Sequence, residues 1–157
     1  MREVIHPSLP PTGRLYAGPR PAQPFAESVA ALRALGITTV ACLLETYELP
    51  ADLQRAYQQT GFELLRFPIQ DFAAPRDPAE FAQFLNDLLA RLRRGESLYV
   101  HCLGGIGRTG TLLCCLFKLL EVEGDPLTLV RSVYASVAVE SPAQQRFVKD
   151  FDAGPTR

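Results

Sequence analysis

The chain has 157 residues, with 16 Lys and Arg against 17 Asp and Glu, a net charge of −1, and 47% apolar residues. That length makes one domain, the composition is globular, and a chain of this size buries about two-thirds of its unfolded surface. Balanced charge argues against a dedicated nucleic-acid or membrane-surface binder, and no apolar run approaches the ~20 residues of a membrane span, since Thr111–Phe117 stops at Lys118.

The start, Met1-Arg2-Glu3-Val4-Ile5-His6-Pro7, has no apolar stretch of signal-peptide length. A cytoplasmic location is therefore expected, with Cys42, Cys102, Cys114 and Cys115 as reduced thiols. There is no Cys-x-x-Cys pair, and the two histidines, His6 and His101, stand 95 positions apart. No metal site and no cofactor are expected.

Six of the 13 prolines fall in the first 24 residues, which predicts an extended segment laid over the domain and interrupted by one short strand, Arg14–Ala17. Phe25–Leu35 carries apolar residues at helical spacing and stops at Gly36. Ile37–Leu44 is β-branched and almost wholly apolar, a buried strand with Cys42 near its centre. A shorter helix over Leu53–Thr60 ends at Gly61, and Phe62–Phe67 is the next strand. Pro68–Arg76 is a loop. Asp77-Pro78-Ala79-Glu80 then opens a helix that runs to about Arg94. Ser97–His101 is a further strand. A helix over Thr109–Glu123, one opened by Asp125-Pro126 and one opened by Ser141-Pro142 complete the chain. Strands alternating with helices, then helices alone, predict a single α/β domain with a mostly parallel central sheet of four to five strands.

The chemistry is concentrated in Val100-His101-Cys102-Leu103-Gly104-Gly105-Ile106-Gly107-Arg108-Thr109-Gly110, where a strand enters a glycine-rich loop and the loop enters a helix. Such a loop turns backbone N–H groups inward and adds the positive end of the helix dipole, a cradle for an anion. Gly105-x-Gly107-x-x-Gly110 matches the dinucleotide fingerprint literally, but helices follow it where a second parallel strand is needed. Arg108 stands where an ATP-binding P-loop requires Lys. The remaining reading is Cys-x5-Arg. Leu103, Gly104, Gly105, Ile106 and Gly107 wrap a tetrahedral phosphate, and Arg108 grips it with a planar fork. Cys102 lies beneath as the nucleophile, favoured as a thiolate at a helix N-terminus beside a cation. Thr109 is expected to donate its hydroxyl to the sulfur, and His101 to support the loop backbone from behind.

His101-Cys102-x5-Arg108-Thr109-Gly110 resembles the signature of the Cys-dependent protein tyrosine phosphatases, particularly the small dual-specificity branch. The variant Cys-Leu-Gly-Gly-Ile-Gly-Arg, together with Glu48-Leu49, Tyr57-Gln58-Gln59-x-Gly61 and Pro68-Ile69-x-Asp71, is similar to the kinase-associated phosphatase subgroup. The resemblance implies a general acid in a Pro-x-x-Asp loop, which is Asp71; Asp77, the alternative, is explained by its helix cap. It also implies a Gln that positions water near the C-terminus. Gln144 occupies that place, although Glu140-Ser141-Pro142-Ala143-Gln144 departs from the family's Gln-Thr-x-x-Gln, and a plain helix cap explains half the pattern.

The implied activity is a monomeric protein phosphatase that acts on phosphotyrosine and phosphoserine/threonine through a phosphocysteine. Its partner is a phosphorylated protein, with neither nucleic acid nor membrane. A phosphatase for a small-molecule or lipid phosphate, and a phospho-residue binding module that kept the fold, are the alternatives.

Overall fold

A computed structural model describes residues 1–152 and Gly154. In chain order the elements are β1 (Arg2–Val4), β2 (Arg14–Gly18), α1 (Phe25–Ala34), β3 (Thr39–Cys42), a 3-10 turn (Thr46–Glu48), α2 (Ala51–Thr60) and β4 (Glu63–Arg66). They continue with α3 (Pro78–Arg93), β5 (Ser97–His101), α4 (Gly107–Leu119), α5 (Pro126–Val133) and α6 (Pro142–Asp150).

The five strands form one sheet in the order β1-β2-β5-β3-β4, parallel except for the β1–β2 edge pair. Side chains alternate across it, as strand geometry requires. Leu15, Ala17, Ala41, Leu98 and Val100 join α3 and α4 in one core, and Tyr16, Val40, Cys42 and Tyr99 join α1 and α2 in the other. Both faces are thus covered, which explains why the central strands β3 and β5 are buried along almost their whole length.

The structure corrects several expected boundaries. The proline-rich segment contributes a second strand, β1, whose three residues are too few to show a period. Only Thr39–Cys42 of the Ile37–Leu44 run is in the ladder; Ile37, Leu43 and Leu44 are apolar because they are buried. Cys42 is therefore at the end of its strand and not near the centre. Helix α4 starts at Gly107, two residues before Thr109, because the glycine-rich loop turns directly into it. It ends at Leu119, short of Glu123, where Glu121 and Gly124 both take positive φ.

Pairing register places Gly18, His101, Cys42 and Arg66 in one row at the carboxyl end of the parallel strands. In an open α/β sheet the loops leaving that edge build the binding crevice. Here they are Pro19–Pro24, Leu43–Glu48, Phe67–Asp77 and Cys102–Ile106. Among the described residues no helix is long and apolar enough to cross a membrane, and no group of His, Cys, Asp or Glu could hold a metal ion.

Candidate active site

Cys102 follows the last residue of β5 and is 2% exposed, and its Sγ accepts the Gly105 N–H at 3.2 Å. The loop carbonyls are taken by partners behind it. Leu103 O accepts from Arg20 N at 3.0 Å, Gly105 O from the Tyr134 hydroxyl at 2.6 Å, and Ile106 O from Val139 N at 3.2 Å. That leaves the N–H groups of the loop and of the first turn of α4 to line the concave side, where a helix has no partners of its own for them. Gly105 has φ +74, and a Cβ there would sit 2.3 Å from the Gly18 carbonyl carbon. Glycine is required at this point by conformation and by space.

Arg108 lies in the first turn of α4 and is 1% exposed. Its guanidinium donates to Glu48 twice, Nη1 to Oε2 at 2.7 Å and Nη2 to Oε1 at 3.0 Å, and Nη1 also donates to Ile69 O at 2.9 Å. Asp71 Oδ1 lies 3.2 Å from Nη2. Only the buried Nε has no partner, so the fork is aimed and one donor is unused. Burial works to raise the pKa of Glu48, but its bonds from Arg108 and the Glu45 backbone outweigh that and hold the carboxyl below its usual range.

His101 is fully buried. Its Nδ1 faces Cys102 O at 3.0 Å and its Nε2 faces the Tyr57 hydroxyl at 2.9 Å. A carbonyl only accepts, so Nδ1 carries the proton and Nε2 accepts from Tyr57. Burial pushes the imidazole pKa down to about 4, against the Cys102 carbonyl bond, which raises it. The ring is neutral and braces the backbone of the residue that carries the sulfur.

Asp71 is brought to the site. Its side chain is 41% exposed, and Oδ1 also accepts the Phe72 N–H at 3.0 Å. Asp77 is committed elsewhere, with its Oδ1 capping α3 through Ala79 N and Glu80 N. Thr109 departs from expectation: its hydroxyl is buried in the first turn of α4 without a partner, and the sulfur is met by the Gly105 N–H instead. Gln144 is fully buried against the loop, where a Cβ on Gly107 would meet Glu140 Oε2 at 2.5 Å and the Gln144 amide at 2.9 Å.

Sequence reasoning missed the residues that act through space. Glu48 stood in the sequence only within the Glu48-Leu49 resemblance, which gives no sign that it pairs with Arg108; in the fold it also completes a capping box with Glu45. Tyr57 stood only within the Tyr57-Gln58-Gln59-x-Gly61 resemblance, with nothing to tie it to His101, and Tyr134 carried no signal. Arg20 ties two site loops together, since its backbone holds Leu103 O and its Nη1 donates to Glu48 O at 2.7 Å.

Residues 11–149 match the family model described as Swiss Army Knife protein, DSP-PTPase phosphatase domain. The phosphatidylglycerophosphate phosphatase PTPMT2 of Arabidopsis thaliana is 30% identical over 138 residues, covering 83% of this chain and 57% of that protein. The crystal structure of Tk-PTP in the active form has a TM-score of 0.77 at 29% identity, covering 94% of this chain and 97% of that one. Kinase associated phosphatase with its catalytic-site cysteine replaced by serine also has a TM-score of 0.77, at 23% identity, covering 88% and 84%. The chain spans 57 to 59% of the length of the first curated relatives that it matches.

Proposed function

We propose that this chain, which belongs to the DSP-PTPase phosphatase family, is a protein phosphatase that hydrolyses phosphotyrosine and phosphoserine/threonine through a phosphocysteine on Cys102. The phosphate lies in the loop of Leu103–Gly107 with its oxygens on backbone N–H groups and Arg108. The Cys102 sulfur attacks phosphorus; the P–S bond forms as the bond to the leaving oxygen breaks, and Asp71 gives that oxygen its proton. Water then attacks the phosphocysteine, Asp71 takes the water's proton, and the sulfur leaves with inorganic phosphate as product. Oriented donors around the transferring group supply most of the stabilisation. His101, braced by Tyr57, holds the loop.

The observation that carries the substrate class is a set of exposed apolar side chains on the segments next to the site residues. Tyr47, Phe72, Leu103 and Val137 are 78%, 59%, 40% and 62% exposed, four of the seven large apolar side chains left exposed among the described residues. Tyr47 neighbours Glu48, Phe72 neighbours Asp71, Leu103 is in the phosphate loop, and Val137 precedes the turn that meets Ile106. An anion cradle whose surrounding loops carry exposed apolar side chains fits a phosphate on an apolar side chain, and no lysine in the loop awaits a second phosphate.

The likeness to PTPMT2 favours a second reading, a lipid phosphate seated in the same cradle. The test is kcat/KM for phosphotyrosyl, phosphoseryl and phosphothreonyl peptides against phosphatidylglycerophosphate in mixed micelles. Higher kcat/KM on the phosphotyrosyl peptide supports the protein substrate. Turnover of the lipid alone overturns it.

A further inference from the structure

The loop that carries Asp71 is held from across the chain by the N-terminus of α6. The Ser141 hydroxyl accepts Gln144 N at 3.1 Å as a helix cap and spends its own proton on Phe72 O, at 2.6 Å. The Gln144 side chain is committed in the same direction. Its Oε1 takes the N–H groups of Glu140 and Ser141 at 2.9 and 3.2 Å, and its Nε2 donates to Ala73 O at 3.2 Å. Both contacts bridge about seventy residues of sequence, and both land on the two residues that follow Asp71.

Backbone conformation marks the same junction. Only three non-glycine residues among those described have positive φ, and two of them flank it, Phe72 at +60° and Val139 at +67°. Side chains with a Cβ adopt this region at a cost, and they stay there only where the surroundings over-determine them. Phe72 is fixed on both sides, its N–H on Asp71 Oδ1 at 3.0 Å and its carbonyl on Ser141. Val139 is fixed by its N–H on Ile106 O in the phosphate loop, while Arg131 Nε holds Ala138 O at 3.0 Å. One short segment, Ala138–Gln144, therefore grips the phosphate loop and the acid loop at once.

We propose that Ser141 and Gln144 are positioning residues that latch the Pro68–Arg76 loop closed, so that Asp71 is kept beside Arg108 in place to transfer the proton. The Phe72 N–H makes the link mechanical. It holds the Asp71 carboxylate, and the other side of that same residue is held by Ser141. This inference rests on Asp71 being the general acid. It also gives the Gln144 amide a task distinct from placing the hydrolytic water.

Ser141→Asp separates the latch from the cap, because a carboxylate still accepts Gln144 N but has no proton for Phe72 O. Ser141→Gly, also a tolerated cap, serves if the carboxylate prevents folding. Ser141→Thr restores both functions. For either disabling variant, kcat/KM on phenyl phosphate should fall roughly tenfold, the worth of one hydrogen bond expressed as an equilibrium constant. On dinitrophenyl phosphate, whose leaving group needs little protonation, the loss should stay under about threefold. Introduced into Asp71→Asn, the same change should cost less than about twofold further, because both act through one group. Because Asp71 also takes the water's proton in the second step, any burst of product from slowed phosphocysteine hydrolysis should not exceed the burst seen in Asp71→Asn.

An equal loss on both substrates, a full loss persisting in the Asp71→Asn background, a burst that Asp71→Asn itself lacks, or no loss at all would each overturn the latch. The two assignments fail separately. If Asp71→Asn alone shows no dependence on the leaving group, the acid falls and the latch with it; if it does and Ser141→Asp does not, only the latch falls.

Discussion

Lowering the pH from 7 to 5 should remove about 2 kcal/mol of folding stability through a single side chain, His101. The imidazole is fully buried with both nitrogens already paired, Nδ1 to Cys102 O and Nε2 to the Tyr57 hydroxyl, and burial pushes its pKa down to about 4. In the unfolded chain the value returns to about 6.5. Between those limits the unfolded state binds a proton that the native state refuses. The stability is fully present above about pH 6.5 and is lost as the pH falls toward 4, at up to about 1.4 kcal/mol per pH unit and roughly 3 kcal/mol in all. Carboxyls held low in the native state, Glu48, Glu63, Glu96 and Asp125, lose their contributions as the pH falls through lower values, so the interval from 7 to 5 belongs to the histidine. Denaturant unfolding at pH 7, 6 and 5 measures the drop. His101→Asn should flatten it. A flat wild-type profile, or a drop that survives His101→Asn, would refute the buried neutral imidazole.

Asp71→Asn should slow phenyl phosphate turnover by ~10²–10⁴ and aryl esters with good leaving groups much less. Asp77→Asn keeps a capping side chain on α3 and should change little, and steady-state kinetics showing the reverse would move the acid to Asp77. Glu48→Gln leaves the buried Arg108 without its bidentate partner and should cost about 3–5 kcal/mol of stability. Thermal unfolding should show part of that recovered by saturating tungstate, which supplies the missing negative charge; an unchanged melting temperature without anion would show that the pair is energetically neutral. Gly105→Ala must place a Cβ 2.3 Å from the Gly18 carbonyl carbon at φ +74, whereas a Cβ on Gly104 meets nothing within 4 Å. Tungstate binding by calorimetry should be lost in the first variant and kept in the second, and equal binding would contradict the loop geometry.

Much of this architecture is legible because local periodicity and tertiary burial agree. Strands β3 and β5 read as largely apolar runs because helices cover both sheet faces, and the caps at Asp77 and Ser141 announce α3 and α6. The phosphate loop is legible because its chemistry is contiguous: nucleophile, glycines and guanidinium fall within seven residues, Cys102 to Arg108. What could not be read is what the fold assembles from a distance. Glu48 reaches Arg108 across 60 positions and Tyr57 reaches His101 across 44. On the chain each belongs to a short stretch that resembles the subgroup, and nothing in that stretch names its partner. Ser141 illustrates the limit best, since its spacing to Gln144 reveals the cap and nothing local reveals that its remaining proton goes to Phe72.

The most direct test of Cys102 as the nucleophile is to trap the intermediate. A phosphotyrosyl peptide labelled in its phosphate is turned over, denatured by a rapid alkaline quench that spares the P–S bond, and the digested protein is mapped by mass spectrometry. The label should appear on the peptide carrying Cys102, vanish in Cys102→Ser together with turnover, and leave anion binding by that variant intact. Turnover that continues in Cys102→Ser, or label found on any other residue, would contradict the account.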